Sequence, residues 1–206
     1  MKKFQKHIGL AAIILINVVG VIGYSSESLF SFFKMMTPYS LLFTLILCFL
    51  YLQVKKFIPL FIILFTIGFG VEFLGVKTGL LFGSYSYGPT LGIQYLNVPL
   101  IIGVNWFILS VGARGCANWL TQNTFLQILC SALLMVGLDF LIEPVAMKYD
   151  FWNWFQNKVP PQNYLMWLLV SILMQVILTK KSSLIPSKLG FAIFSSQLIF
   201  FGILLL

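Results

Sequence analysis

FIPLFIILFTIGFGVEFLGV, residues 57–76, is a run of twenty residues with a single charged side chain, Glu72. Its length matches the ~20 apolar residues that a helix needs to cross a hydrocarbon core ~30 Å thick. Backbone inside lipid must satisfy its own N–H and C=O groups, so such a run reads as an α-helix. Working outward, comparable runs lie at about 8–24, 39–54, 96–113, 124–143, 163–179 and 189–206, with ends placed to within a few residues. The sequence therefore predicts an all-α, polytopic membrane helix bundle of about seven transmembrane helices, forming one transmembrane domain over residues 1–206, with six or eight spans as alternatives. Residues 29–36, apolar but interrupted by Lys34, read as an interfacial piece leading into the second span.

Composition agrees. The 206 residues are 60% hydrophobic and 9% charged, with mean hydropathy +0.99, far outside the soluble range. Spans consume the chain and leave no room for a soluble catalytic domain. Thirteen Lys and Arg against five Asp and Glu give a net charge of +8. The basic residues are scattered near the ends of apolar runs and make no stripe that tracks phosphates, which excludes nucleic acid as a partner. Cys48, Cys116 and Cys130 lack metal-ligand spacing and read as structural thiols.

Basic residues in short loops are retained on the cytoplasmic side. Nine (Lys2, Lys3, Lys6, Lys55, Lys56, Arg114, Lys180, Lys181 and Lys188) fall on the side of the N-terminus, and four (Lys34, Lys77, Lys148 and Lys158) on the other. The expected placement is multi-pass in the cell inner (plasma) membrane, N-terminus cytoplasmic and C-terminus outside. The first run, behind Lys2, Lys3 and Lys6, resembles a signal peptide, but no small-residue cleavage site precedes Ser25 and Ser26, so an uncleaved first helix is expected.

Under this topology all five acids share the outer side: Glu27 and Asp150 in loops, Glu72 near the end of the third span, Asp139 and Glu143 near the end of the fifth. An ionisable group inside a span is costly unless paired or wetted, so three of them point to function. Asp139 and Glu143, four apart, lie on one helix face about one turn from each other. Pro144 is expected to end that helix. A dry surrounding, the negative helix end and a neighbouring carboxylate leave at least one of these acids carrying its proton, as a general acid requires. The bland alternative is that Glu72 pairs with Lys77, and Glu143 with Lys148, as ion pairs that merely end helices.

Two polar-aromatic loops lie on the same side. In the first, Gly75, Gly79 and Gly83 recur every four residues and suit either close helix packing or a turn buried in protein; Tyr85 and Tyr87 follow. The second carries Trp152 and Trp154. These aromatics suit interfacial anchoring or, facing the acids, attraction of a developing cation. Elsewhere His7 reads as a cytoplasmic headgroup contact and Arg114 as the inner boundary between the fourth and fifth spans. Asn97, Asn105, Asn163 and Gln175 are expected to hydrogen-bond between helices. No nucleotide, zinc or nucleophile-elbow pattern appears, so neither metal nor cofactor is expected.

Glu72, Gly75, Thr78-Gly79, Phe82-Gly83, Tyr85 and Tyr87, continued by Leu91-Gly92, Val98-Pro99 and Trp106, resemble a block of the membrane carotenoid 1,2-hydratase family. Asp139 and Glu143-Pro144-Val145-Ala146, then Trp152, Trp154, Val159-Pro160 and Asn163, resemble its second block. The likeness covers roughly residues 60–170. It implies hydration of the terminal double bond of an acyclic carotenoid end group to a tertiary alcohol, in carotenoid biosynthesis, without a cofactor. The expected catalytic residues are then Asp139, as proton donor, with Glu143 or Glu72 handling water. Tyr85, Tyr87, Trp106, Trp152, Trp154 and Asn163 are expected to bind the substrate. The partners implied are a carotenoid within the bilayer, membrane lipid and other carotenoid enzymes. A noncatalytic scaffold for those enzymes and a proton-coupled transporter are the alternatives.

Overall fold

The computed structural model describes residues 3–206, with side chains described from Ile8 onward. Lys2, Lys3, Lys6 and His7, as basic anchor and headgroup contact, lie outside the described side chains. Among the described residues there are seven α-helices: α1 (Lys3–Ser25), α2 (Phe30–Tyr51), α3 (Val54–Thr78), α4 (Ile101–Leu120), α5 (Thr124–Lys148), α6 (Pro161–Leu178) and α7 (Ser187–Leu205). Six of them, all but α4, are long and apolar enough to cross a membrane. α4 is the centre: it packs against α2, α3, α5, α6 and α7, and Trp106, Phe107, Ile108, Leu109, Val111 and Ala113 on it are all buried. Large apolar side chains such as Leu15, Ile46, Ile62, Phe140 and Leu165 face outward instead. In water those side chains would be a liability, but in lipid they are the solvent-facing surface.

Without a hydrophobic drive between helices in lipid, close contact rests on small residues. A Cβ on Gly115 of α4 would stand 2.7 Å from the Cα of Gly190 on α7, so this crossing is made by backbone against backbone.

Three segments differ from the sequence reading, and in a fourth the structure selects one of the two readings left open. Residues 30–36 belong to α2 and are not a separate interfacial piece; Lys34 does not interrupt the helix because its ammonium reaches Asp150, 3.3 Å away. α4 begins at Ile101 and runs past Arg114, which is no boundary. The guanidinium is fully buried and donates to the Gln175 side chain (2.9 Å), the Gln175 carbonyl (2.6 Å) and Gln127 (3.4 Å), so the helix carries it without exposure. α5 continues through Pro144 to Lys148. A proline costs a span less than a soluble helix, because neighbouring helices and local adjustment take up the freed carbonyl. The glycine-rich stretch is a turn and not a helix: α3 stops at Thr78, and Gly79 caps it in the left-handed conformation (φ 67°), its N–H on the Gly75 carbonyl at 2.8 Å.

Two short ribbons cover one end of the bundle. β1 (Tyr85–Tyr87) pairs antiparallel with β4 (Trp152–Trp154), and β2 (Gln94–Tyr95) pairs with β3 (Val98–Pro99) around a two-residue turn at Leu96 and Asn97, both with positive φ. The turn therefore claims Asn97, expected to bond between helices, as a loop residue. The three cysteines are free thiols, Cys48 and Cys116 buried.

Candidate active site

Glu72 lies on the buried stripe of α3 formed by Phe57, Leu64, Gly68, Glu72 and Gly75, spacings that keep to one helix face. The two glycines flanking it make room for its partners. A Cβ on Gly68 would fall 2.7 Å from the Trp106 ring, and one on Gly75 would fall 2.9 Å from the Tyr85 hydroxyl. With that room, Trp106 of α4 donates its indole N–H to Glu72 Oε1 (3.1 Å), while the Tyr85 and Tyr87 hydroxyls donate to Oε2 at 2.5 and 2.7 Å.

The β1–β4 ribbon explains how both tyrosines arrive. Tyr85 is opposite Trp154, Ser86 opposite Asn153, and Tyr87 opposite Trp152. Alternate residues of a strand share a face, so all four aromatics point inward and Ser86 and Asn153 point out. On the inner face the tyrosines serve Glu72 and the tryptophans serve Glu143. Trp152 and Trp154 donate their indole N–H groups to Glu143 Oε2 at 2.9 and 2.6 Å. The polar edges of these aromatics are spent on carboxyl groups, and burial together with the charge of Glu72 pushes both tyrosine phenols well above their ordinary ionisation range.

The third contact to Glu143 comes from Asn163 on α6, whose amide donates both to Glu143 Oε1 (3.1 Å) and to Asp139 Oδ2 (2.8 Å). One side chain thus bridges the two carboxyls of α5. The remaining Asp139 oxygen, Oδ1, is buried with no hydrogen-bond partner among the described residues. All three acids are buried, Asp139 fully so. Neither local ion pair forms. The Lys77 ammonium lies over the Phe73 ring, and Lys148 donates to the Leu204 carbonyl at 3.1 Å. Among the described residues the one carboxylate–ammonium pair is Lys34–Asp150.

Glu72 and Glu143 line a common cavity of about 30 Å³, walled also by the ribbon aromatics, Asn105, Asn163, Trp106 and Trp167. Since ~10–15 Å³ of such space accepts one water, it has room for about two and for no hydrocarbon end group. Asp139 is not on this wall but one turn behind Glu143. The structure therefore brings Glu72, Glu143, Tyr85, Tyr87, Trp106, Trp152, Trp154 and Asn163 together at one cavity, and holds Asp139 against it from behind. Sequence reasoning passed over Trp167, which stacks on Trp106 with ring centroids 4.1 Å apart. Its position four residues after Asn163, on the same helix face, was the available signal.

Comparisons with known proteins bear on the chain as a whole. The family profile described as carotenoid biosynthesis protein matches residues 11–204. Bisanhydrobacterioruberin hydratase of Haloarcula japonica is 32% identical over 109 residues, a stretch that covers 49% of this chain and 37% of that protein. The matched part of the chain thus spans little more than a third of the curated relative. No solved structure matches.

Proposed function

We propose, from the premise that this chain belongs to the carotenoid biosynthesis protein family, that it is an intramembrane carotenoid hydratase, a carbon–oxygen lyase. It adds water to the terminal double bond of an acyclic end group and leaves a tertiary alcohol. The relative named as a hydratase supports the reaction class. The observation that carries the reading is that two carboxyls from different helices, Glu72 and Glu143, face one water-sized cavity, and that only Glu143 has a second carboxyl at its back.

Hydration of an isolated trisubstituted alkene begins with protonation of its less substituted carbon, which yields a tertiary cation. Water then forms the new carbon–oxygen bond and loses a proton to a base. The work divides between groups held in different protonation states. Asp139 and Glu143 share one amide in a dry interior, where two adjacent negative charges and a bare buried oxygen are costly. In this reading the pair holds one proton between them, and Glu143, on the cavity wall, hands it to the alkene. Glu72, which accepts three donors and shares none of them with a second carboxyl, is suited to remain a carboxylate and to take the proton that water releases. Glu72 ends the addition protonated and the pair does not. Return of the proton through the cavity that both acids line resets the site.

The aromatic ring faces beside the acids offer the passing cation an attractive surface. The Tyr85 and Tyr87 hydroxyls and the three indole N–H groups position the carboxyls. The acids cluster at one end of the bundle instead of forming a file across it, which favours local chemistry over proton-coupled transport. The outer face of the plasma membrane, with the C-terminus outside, is the expected setting for that end, and association with other carotenoid enzymes there accords with the family.

The test uses a host that makes an acyclic carotenoid, with the ratio of hydrated to unhydrated pigment measured at matched membrane protein level. Glu143→Gln and Asp139→Asn should each cut hydration by ~10²–10⁴-fold, the usual worth of general acid catalysis. In labelled water the product should carry label on the hydroxyl oxygen and a solvent hydrogen on the adjacent carbon. Near-normal conversion by all of Glu72→Gln, Asp139→Asn and Glu143→Gln would end the carboxyl mechanism.

A further inference from the structure

A second, larger cavity of about 460 Å³ adjoins the acid site. It lies among α1, α2, α4 and α7, and four residues belong to the walls of both spaces: Ile102, Asn105, Ile142 and Trp152. At its other extreme it is lined by Val19, Tyr39 and Phe43, which are 41%, 60% and 42% exposed on the outward surfaces of α1 and α2. The space therefore runs from the lipid-facing side of the bundle to the wall of the carboxyl pocket. Its lining is mostly aliphatic and aromatic, and its volume is in the range of pockets that bury small molecules, ~300–1,000 Å³.

We propose that this chamber is the binding site for the terminal isoprenoid segment of an acyclic polyene, which enters sideways from the bilayer between α1 and α2. The proposal rests on the hydratase reading for the identity of the chain. The acid cavity takes water but not an end group, so any alkene carbon that Glu143 protonates must be presented through the shared wall. A polyene about as long as the hydrocarbon is thick, ~30 Å, does not fit whole, so one end occupies the chamber while the rest stays in lipid. The chamber is not a plain acyl-chain groove. The amides of Asn105 and Gln197 face it without a hydrogen-bond partner among the described residues. Asn105, on the shared wall, is placed to hold the incoming water or the new tertiary hydroxyl at the point where the chain meets the acids.

The test incorporates the full chain into phosphatidylcholine nanodiscs with lycopene as probe, and reads the circular dichroism induced in the polyene band together with hydrated product. Ser40→Phe on α2 and Asn17→Phe on α1 fill the chamber from two sides. Ile46→Phe adds the same bulk on the outward face of α2, and Glu143→Gln disables the chemistry. The wild type, Ile46→Phe and Glu143→Gln should show the induced signal. The two filled variants, at unchanged melting temperature, should lose it at least about tenfold, and conversion with it. A filled variant that melts early is replaced by Ser40→Leu or Asn17→Leu, read the same way. Signal and conversion undiminished in the filled variants would overturn the chamber while leaving the hydratase reading intact. An induced signal abolished by filling, with no hydrated product from the wild type, would uphold the chamber and sink the hydratase reading. Absence of any signal in the wild type, with phospholipid alone retained, would overturn the proposal.

Discussion

Asp139 and Glu143 stand one turn apart on α5, and their neighbours give them different work. Glu143 faces the cavity and accepts three donors, whereas Asp139 accepts one and keeps a buried bare oxygen. The spacing of four made the pair legible in the sequence, but which member met the cavity was not, because both lie on the same helix face. The tyrosines opposite carry a prediction about pH. Their phenols ionise above the ordinary value of 10.0 in the folded protein, from burial first and the Glu72 charge second. A raised value means that the folded state binds its proton more tightly. The resulting stability is full below pH 10 and is lost as pH rises above it. Melting followed by tryptophan fluorescence from pH 8 to 11 should show this decline, and Tyr85→Phe/Tyr87→Phe should flatten it relative to the wild type. An equal slope in both proteins would contradict the assignment.

At the scale of elements, the ribbon decides the site, and the α4–α7 crossing holds the bundle that carries it. Tyr-Ser-Tyr and Trp-Asn-Trp alternate with the period of a strand, a signal present in the sequence but too short to outweigh the helical runs around it. The ion pairs offered by Lys77 and Lys148 were readable five residues beyond Glu72 and Glu143, and they do not form, since both carboxyls turn inward to neutral donors. The α4–α7 crossing carries its own prediction. Gly115→Val would push a side chain into the backbone of Gly190, an overpacking that costs typically ~1–3 kcal/mol and more where backbone must move. The variant should melt earlier in detergent by several degrees. Hydration in membranes at permissive temperature should persist in proportion to folded protein, because Gly115 lies away from the acids. A melting temperature equal to the wild type would mean that the crossing tolerates a wider separation.

For the whole molecule, the seven-span reading of the sequence sets the two ends of the chain on opposite sides of the membrane, and the nine-to-four bias of basic residues predicts which side is inside. A reporter fused after Leu206 should be active outside, and one inserted at residues 180–188 inside; the reverse pair of signals would move the acid site to the cytoplasmic face. The sequence by itself determined the membrane class, the helical architecture and the three carboxyls worth attention. Hydropathy and the cost of charge in lipid act on each segment alone, so a local reading recovers them. Tertiary structure alone decided that α4 sits walled in by its neighbours with Arg114 inside, that α5 runs through Pro144, and that Tyr85 meets Trp154 across almost seventy residues of chain. It alone decided that the acids share a water-sized cavity with a larger apolar one beside it. Donor–acceptor partnerships between distant loops, and the spaces left between packed helices, depend on how the segments meet and leave no pattern within any one of them.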